Sequence, residues 1–540
     1  MNVGSFDYLY RCPPMVSMQR ARLRFLRRHE IFSGGRYLPL EGDRVWRHRR
    51  TRSVARHLHA WTFYYHLRPF GEDRDRQVLD QLIQVLGEWR AVVGLPPTRI
   101  PMSYHDETTA QRTIALTCML KDYAEMFSVE QAGIVLQVIR EGADLLVDPD
   151  FHSTGTNHGM YQDLALLVAS PFLEDEERMA DLAHSRLSDY FLSAFTADGI
   201  HREQSPEYHC LVTSHMRRYV ASIGDDRPEA ADRLRRLLEP AEPYATLSVS
   251  PMGTFAPVSD VTSTPVLATG YARAFSSDQF RFAVTQGAQG TAPTLKQLIA
   301  EDTGVAVYRA DWQDPDSLYL YVSAAYNADY HKHSDDLSVY VVHRGLELLR
   351  EAGPNGYQME DPYTVYAFSS FAHNTLIVDG EGLPRIEPNA QDKVGLVGLP
   401  TTAERLFAVR GHQRRFPGVV HEREVTVHRA TSQGSQIVSI EDIVNSADRH
   451  DYDLLWHLGP EVIAETDGTT IRLTDRHGAA VATMTITSDT ELALTVVQGQ
   501  TEPQIQGWYF PQMGRPMPAQ TVIVSLSTSD ATVRTDIDLR

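Results

Sequence analysis

The sequence predicts a multidomain protein of mixed class, with a helical N-terminal domain over residues 1–300 and an antiparallel β-sandwich over residues 301–540. Three observations predict it. The chain has 540 residues, more than one hydrophobic core usually serves. Apolar residues recur at helical spacing through the first half, then alternate in short β-branched runs beyond about residue 300. Between them, residues 246–300 are rich in Thr, Ser, Pro and Gly, with a helical stretch near Phe275 to Thr285, and read as a connection. An apolar content of 42% with 22% charged residues is that of a globular protein.

Arginines crowd the beginning of the chain: Arg20, Arg22, Arg24, Arg27, Arg28, Arg36, Arg44, Arg47, Arg49, Arg50, Arg52 and Arg56. Such a stretch serves either an anionic partner or a solvated helix face. The net charge of −19 argues against broad nucleic-acid binding, which needs a basic footprint. Cys12, Cys118 and Cys210 stand far apart in no metal-like pairing, as expected of buried or inert thiols in a reducing compartment. Apolar runs of eighteen or more residues are absent, so no membrane insertion is expected. The N-terminus shows no secretory signal pattern, which predicts a cytoplasmic protein, or a secreted or periplasmic one if a leader has been removed.

In the first half, Leu79, Leu82, Ile83, Leu86, Trp89 and Val93 form a stripe that predicts a helix over 76–93, with Pro96-Pro97 as a turn beyond it. Ser128-Val-Glu-Gln131 is a capping-box pattern opening a helix with Val135, Val138, Ile139 and Leu146. Met179, Leu182, Arg186 and Tyr190 mark another helix after an acidic turn. These helices predict an all-α layer of paired helices.

In the second half, strands are predicted over 317–323, 337–342, 375–379, 425–428, 436–440, 470–473, 482–486, 491–497 and 521–526. Short, turn-bounded and numerous, they carry the signature of an antiparallel sandwich.

Chemistry-bearing residues gather in three places. In Tyr326-Asn-Ala-Asp-Tyr-His331-Lys-His333-Ser-Asp335-Asp336 two imidazoles and a carboxylate alternate. On a strand, His331, His333 and Asp335 would share one face, with Leu337, Val339 and Val341 continuing into an apolar stem. Such a group can serve a metal, a proton transfer, or both. Thr156-Asn157-His158-Gly159 stands just before the apolar run Leu164 to Ala169, which puts Asn157 and His158 at a helix N-terminus, where backbone donors favour anions. Asp198-Gly199-Ile-His201-Arg202-Glu203-Gln-Ser205-Pro206-Glu207-Tyr208-His209 is a second polar cluster, in which Tyr208 follows a proline-marked turn.

Taken with Gly345-x5-Glu351-x-Gly353 and Ala372-His373-Asn374-Thr375, these motifs in this order resemble the heparinase II/III-like polysaccharide lyases. The resemblance extends from His105-Asp-Glu-x-x-Ala-x-Arg112 to Gly507-Trp508 and is strongest between residues 325 and 380. It implies an α/α toroid followed by an antiparallel β-sandwich. It also implies cleavage of a uronate-containing anionic polysaccharide or oligosaccharide by β-elimination, leaving an unsaturated uronyl product.

That reaction must neutralise the C6 carboxylate, remove the C5 proton and protonate the leaving glycosidic oxygen. By resemblance, Asn157 with His158 holds the carboxylate, Tyr208 is the acid and a candidate base, and His331 is the alternative base. Arg112, Arg202, Glu203 and Lys332 flank the motifs as candidate substrate-binding residues. His333, Glu351 and His373 resemble the family's structural zinc positions, although the family usually has Asp where Glu351 stands. His209 and His343 read as supports of the site or satisfied surface histidines. A zinc-dependent glycan hydrolase and a catalytically inactive carbohydrate-binding protein are the alternatives. A homodimer is compatible with the sequence, which does not fix the oligomeric state.

Overall fold

The structure is a computed structural model that describes residues 16–33, 35–47, 52–69, 71, 74–96, 98–430 and 436–539. Cys12, Arg49, Arg50 and Pro97 lie outside the described residues. The chain divides into two compact units, Met1–Ala194 with Met216–Arg235, and Phe195–His215 with Arg236–Arg540. The second unit therefore takes in part of the stretch assigned by sequence to the helical domain, including Tyr208.

The first unit is helical, apart from the hairpin β1 (Glu30–Ser33) and β2 (Arg36–Pro39). Its helices are α1 (Met18–Arg28), α2 (Arg52–His59), α3 (Asp75–Val93), α4 (Asp106–Asp122), α5 (Val129–Val147), α6 (Asn157–Ala169) and α7 (Glu176–Ser193). The predicted α3 stripe is buried at Leu79, Leu82, Leu86, Trp89 and Val93. Ser128 and Gln131 form the reciprocal capping box at the start of α5. Helix α4 packs against α5 and α6, and α6 against α7. Several of the crowded arginines are spent inside this unit: Arg22 pairs with Asp75 in a buried ion pair, Arg24 with Glu30, Arg47 with Asp43 and Arg56 with Glu107.

Helix α8 (Pro206–Ile223) begins in the second unit and ends in the first, and α9 (Pro228–Leu238) ends where the second resumes. The connection holds α10 (Ala241–Leu247) and α11 (Asp278–Val284). A five-stranded antiparallel sheet follows in the order β3 (Gln297–Ala300), β4 (Val305–Arg309), β5 (Tyr319–Ser323), β6 (Ser338–His343), β7 (Leu346–Leu349). Alternation decides what its two faces meet. Tyr319, Tyr321, Tyr340 and Val342 join a core with Tyr244, Leu247, Phe280 and Val284 of α10 and α11. Leu320, Val322, Val339 and Val341 join a second core with residues of a larger sheet.

That larger sheet is antiparallel and ten-stranded, built from β8 (Leu376–Val378), β9 (Val394–Gly398), β10 (Arg405–Gln413), β11 (Val419–Arg429), β12 (Gln436–His457), β13 (Val462–Asp467), β14 (Thr470–Asp475), β15 (Ala480–Ser488), β16 (Leu492–Gln498) and β19 (Gln520–Leu539). Its path runs β13-β14-β15-β19-β12-β11-β10-β9, with β16 on β19 and β8 on β12. The remaining elements are α12 (Pro362–Phe368) and the short pair β17 (Trp508–Tyr509) and β18 (Met517–Pro518). No helix among the described residues is long and apolar enough to cross a membrane. Cys118 and Cys210 are buried free thiols.

Candidate active site

The alternating motif is not a strand. Strand β6 starts only at Ser338, and residues 324–337 form a loop in which His331 (φ 57°) and Leu337 (φ 65°) are left-handed. Side-chain chemistry overrides the apparent period. Lys332, 1% exposed, donates to Asp335 Oδ1 at 2.5 Å and Asp336 Oδ1 at 2.8 Å, bonds that close the loop on itself. Arg415 donates to Asp336 Oδ2 at 2.6 Å, and Thr375 Oγ1 to the Asp336 carbonyl at 2.6 Å. Asn374 fastens the start of β6, with its backbone N–H on Ser338 Oγ and its amide on the Val339 carbonyl. His331, His333 and Asp335 therefore share no strand face. The two imidazoles converge on a different carboxylate, while Asp335 serves Lys332.

That carboxylate is Asp260, in the connection. His331 Nδ1 lies 2.5 Å from Asp260 Oδ2, His333 Nε2 lies 3.0 Å from Oδ1, and the Tyr357 hydroxyl donates to Oδ2 at 3.2 Å. Although burial works against its charge, the hydrogen bonds from His331 and His333 hold the Asp260 carboxyl well below the usual carboxylate range. Tyr208, in the first turn of α8, stacks its ring on His331 with centroids 3.7 Å apart. Burial, with the neighbouring Tyr357, Asp260 and Glu203, pushes the Tyr208 phenol far above its ordinary value. Glu203 Oε2 is 3.5 Å from His331 Nε2. The half-buried Arg385 donates to the Lys332 carbonyl at 2.6 Å and lies over the Phe368 ring. All of these residues belong to the second unit, and Tyr357, 46% exposed, opens the group to solvent.

Asn157 and His158 open α6 in the first unit, where Thr156 is the N-cap. His158 Nδ1 is 3.1 Å from Asp106 Oδ2, and its Nε2 is 3.5 Å from Glu107 Oε2. One ligand-type atom from each of His105, Asp106 and His158 lies within 4.8 Å of the others. These residues sit at the N-terminal ends of α4 and α6, where helix dipoles oppose a cation, and Asp106 already accepts from Ser153 and the Glu107 backbone N–H. The cluster is accordingly a hydrogen-bonded cradle for the His158 ring. Burial disfavours its charge, but Asp106 and Glu107 outweigh that and raise its pKa above 6.5.

The sign follows from linkage. A raised folded-state pKa stabilises the fold fully below about 6.5, and that contribution is lost as pH rises through the higher native value. Asp106→Asn is expected to lower the His158 pKa and remove this pH dependence, as read by histidine NMR titration and pH-dependent unfolding. An unmoved His158 titration would refute it.

Two residues expected to bind substrate do other work. Arg112, 2% exposed, donates to the His59 and Ser103 carbonyls at 3.0 and 2.6 Å and lies over the Trp89 and Tyr104 rings, so it braces the helical unit. Lys332 is the internal counter-ion just described. Arg202 is exposed, and Glu203 is buried beside His331. His209 is fully buried rather than at the surface, accepting from the His201 N–H at 3.2 Å and lying 2.9 Å from the Ala241 carbonyl; His343 ends β6, partly exposed.

At the zinc-like positions, His373 Nδ1 is hydrogen-bonded to Glu351 Oε2, and Ser338 Oγ donates to Oε1. The His333 and His373 rings lie 5.3 Å apart, and each leaves one buried nitrogen, His333 Nδ1 and His373 Nε2, without a hydrogen-bond partner among the described residues. Two orphaned imidazole nitrogens beside a carboxylate are, in kind, a donor set that suits zinc. Asp260, Tyr357 and Arg385 had no sequence signal: none stands in a recognisable motif.

The fold and this group of residues define a two-part protein, helical first and antiparallel β second, with an imidazole–phenol–carboxylate centre in the second unit. Residues 292–537 match the family described as heparinase II/III-like, C-terminal. Solved structures of similar fold include heparinase III, at TM-score 0.77 and 15% identity over 98% of this chain and 86% of that one. Heparan sulfate lyase HepC from Pedobacter heparinus matches at TM-score 0.67 and 16% identity, over 98% and 83% of the two chains. Chondroitin AC lyase from Streptomyces coelicolor A3, solved with chondroitin sulphate, matches at 0.52 and 12% over 88% and 73%. No curated protein sequence matches the chain.

Proposed function

We propose that this protein is a polysaccharide lyase that cleaves a uronate-containing anionic chain by β-elimination, with its helical part as the α/α toroid and its sheets as the β-sandwich of such enzymes. The observation that carries the reading is the Tyr208 ring stacked on His331, with Asp260 and Tyr357 bonded behind it. In the reaction the C5–H and C4–O bonds break and a C4–C5 double bond forms. His331 Nε2 takes the C5 proton. Tyr208, kept neutral by its raised pKa, gives its own to the leaving oxygen. Arg385 offers a cation in the same unit for the substrate carboxylate.

The test is to incubate the protein with heparan sulfate, chondroitin sulphate, hyaluronan and alginate and to follow near-ultraviolet absorbance. The expected product is a conjugated unsaturated uronate; cleavage without a double bond would establish a hydrolase instead, and no cleavage of any uronate polymer would refute the lyase.

A structural zinc belongs to this reading, with His333, Glu351 and His373 as the residues that would hold it. Zinc would supply a cross-link between the loop and two later segments. Chelation is expected to lower the unfolding midpoint more than it alters turnover, and Glu351→Ala to behave alike. Elemental analysis showing no zinc in protein purified without chelator would remove the site.

A further inference from the structure

We propose that Asp260 is a positioning residue for His331: it fixes the proton on Nδ1 and so leaves Nε2 as the basic nitrogen. The proposal rests on the lyase reading for its kinetic part only. An ionised carboxylate can only accept hydrogen bonds, so both imidazoles that meet Asp260 must donate to it. His331 then carries its proton on Nδ1, 2.5 Å from Oδ2, and His333 on Nε2, 3.0 Å from Oδ1. The buried carboxylate thereby sets two tautomers at once, and Tyr357 bonding to Oδ2 limits its rotation.

Backbone geometry points the same way independently. His331 (φ 57°) and Ser259 (φ 54°), next to Asp260, are both left-handed without being glycine. Gln204, next to Glu203, is a third at φ 62°; its carbonyl accepts from Ser259 Oγ at 3.4 Å, and its amide donates to the Ala328 carbonyl at 3.0 Å. Left-handed non-glycine residues cost energy and persist where the surroundings over-determine them, often at functional sites. Here they bring Glu203, Asp260 and His331 together. With Nδ1 committed to Asp260, the charge that arises when Nε2 takes a proton faces Glu203 Oε2 at 3.5 Å.

Two measurements test this. In protein labelled with ¹⁵N-histidine, with His331 assigned by the signal lost in His331→Ala, the neutral ring is expected to be protonated on Nδ1. A neutral His331 protonated on Nε2 would overturn the proposal, whether or not any polymer is cleaved. In turnover, Asp260→Asn is expected to lose about 10²-fold in kcat with KM within about threefold, and to cause no further loss in a His331→Ala background. Equal losses from Asp260→Asn in both backgrounds would show that Asp260 acts on the fold at large and would overturn the proposal. Wild-type protein inactive on every uronate polymer would sink the lyase reading and leave the tautomer result to decide the proposal.

Discussion

Tyr208→Phe is expected to abolish turnover while leaving substrate binding in place. The substitution keeps the ring, and with it the 3.7 Å stack on His331, and deletes only the hydroxyl. Burial and the surrounding Tyr357, Asp260 and Glu203 hold that hydroxyl protonated across the working pH range, which suits it to give a proton to the departing oxygen. Losing a positioned acid of this kind costs about 10²-fold or more in kcat. The measurement is steady-state formation of unsaturated product, with binding followed separately by calorimetry. Near-normal turnover by the variant would show that another group is the acid.

Lys332→Met is expected to be the most destabilising single change near the site. The ammonium is buried between Asp335 and Asp336, and Arg415 remains for Asp336 only, so the substitution leaves Asp335 buried without the cation it faces. Breaking a buried pair by removing one partner costs about 3–5 kcal/mol, because the surviving charge loses its compensation without regaining water. Denaturant unfolding should show this as a lower midpoint at constant slope. Adding Asp335→Leu should recover much of the loss, since replacing both members by apolar groups removes the stranded charge. A loss below about 1 kcal/mol from Lys332→Met alone would show that water reaches the cluster.

What the sequence disclosed follows from the range over which each feature is decided. Helix α3, the Ser128 capping box and the predicted strands depend on neighbours within a few residues, so their period was readable. The loop at His331 has the sequence pattern of a strand because alternating polar residues imitate a half-buried strand. What folds it instead is the bonding of Lys332 to Asp335 and Asp336, and of His331 to a residue 71 positions away. Asp260 stands in a segment with neither helical nor strand period, so nothing local marks it. Arg112 and Lys332 read in sequence as candidate substrate-binding cations because charge ordinarily means exposure. Their burial depends on partners such as the His59 carbonyl and on the closing of a loop, and composition records neither.

The make-up of the second unit bears on how such proteins are inherited and compared. Tyr208, Glu203 and Asp260 all lie before residue 292, where the heparinase II/III-like match begins, whereas His331, Tyr357 and Arg385 lie within it. A gene fusion that transferred only the matched region would carry the imidazole without the phenol stacked on it or the carboxylate behind it. Kinship through that region alone thus passes on a scaffold and half of the proposed reaction centre, and the residues from 203 to 260 are the ones to compare when two relatives are asked whether they share it.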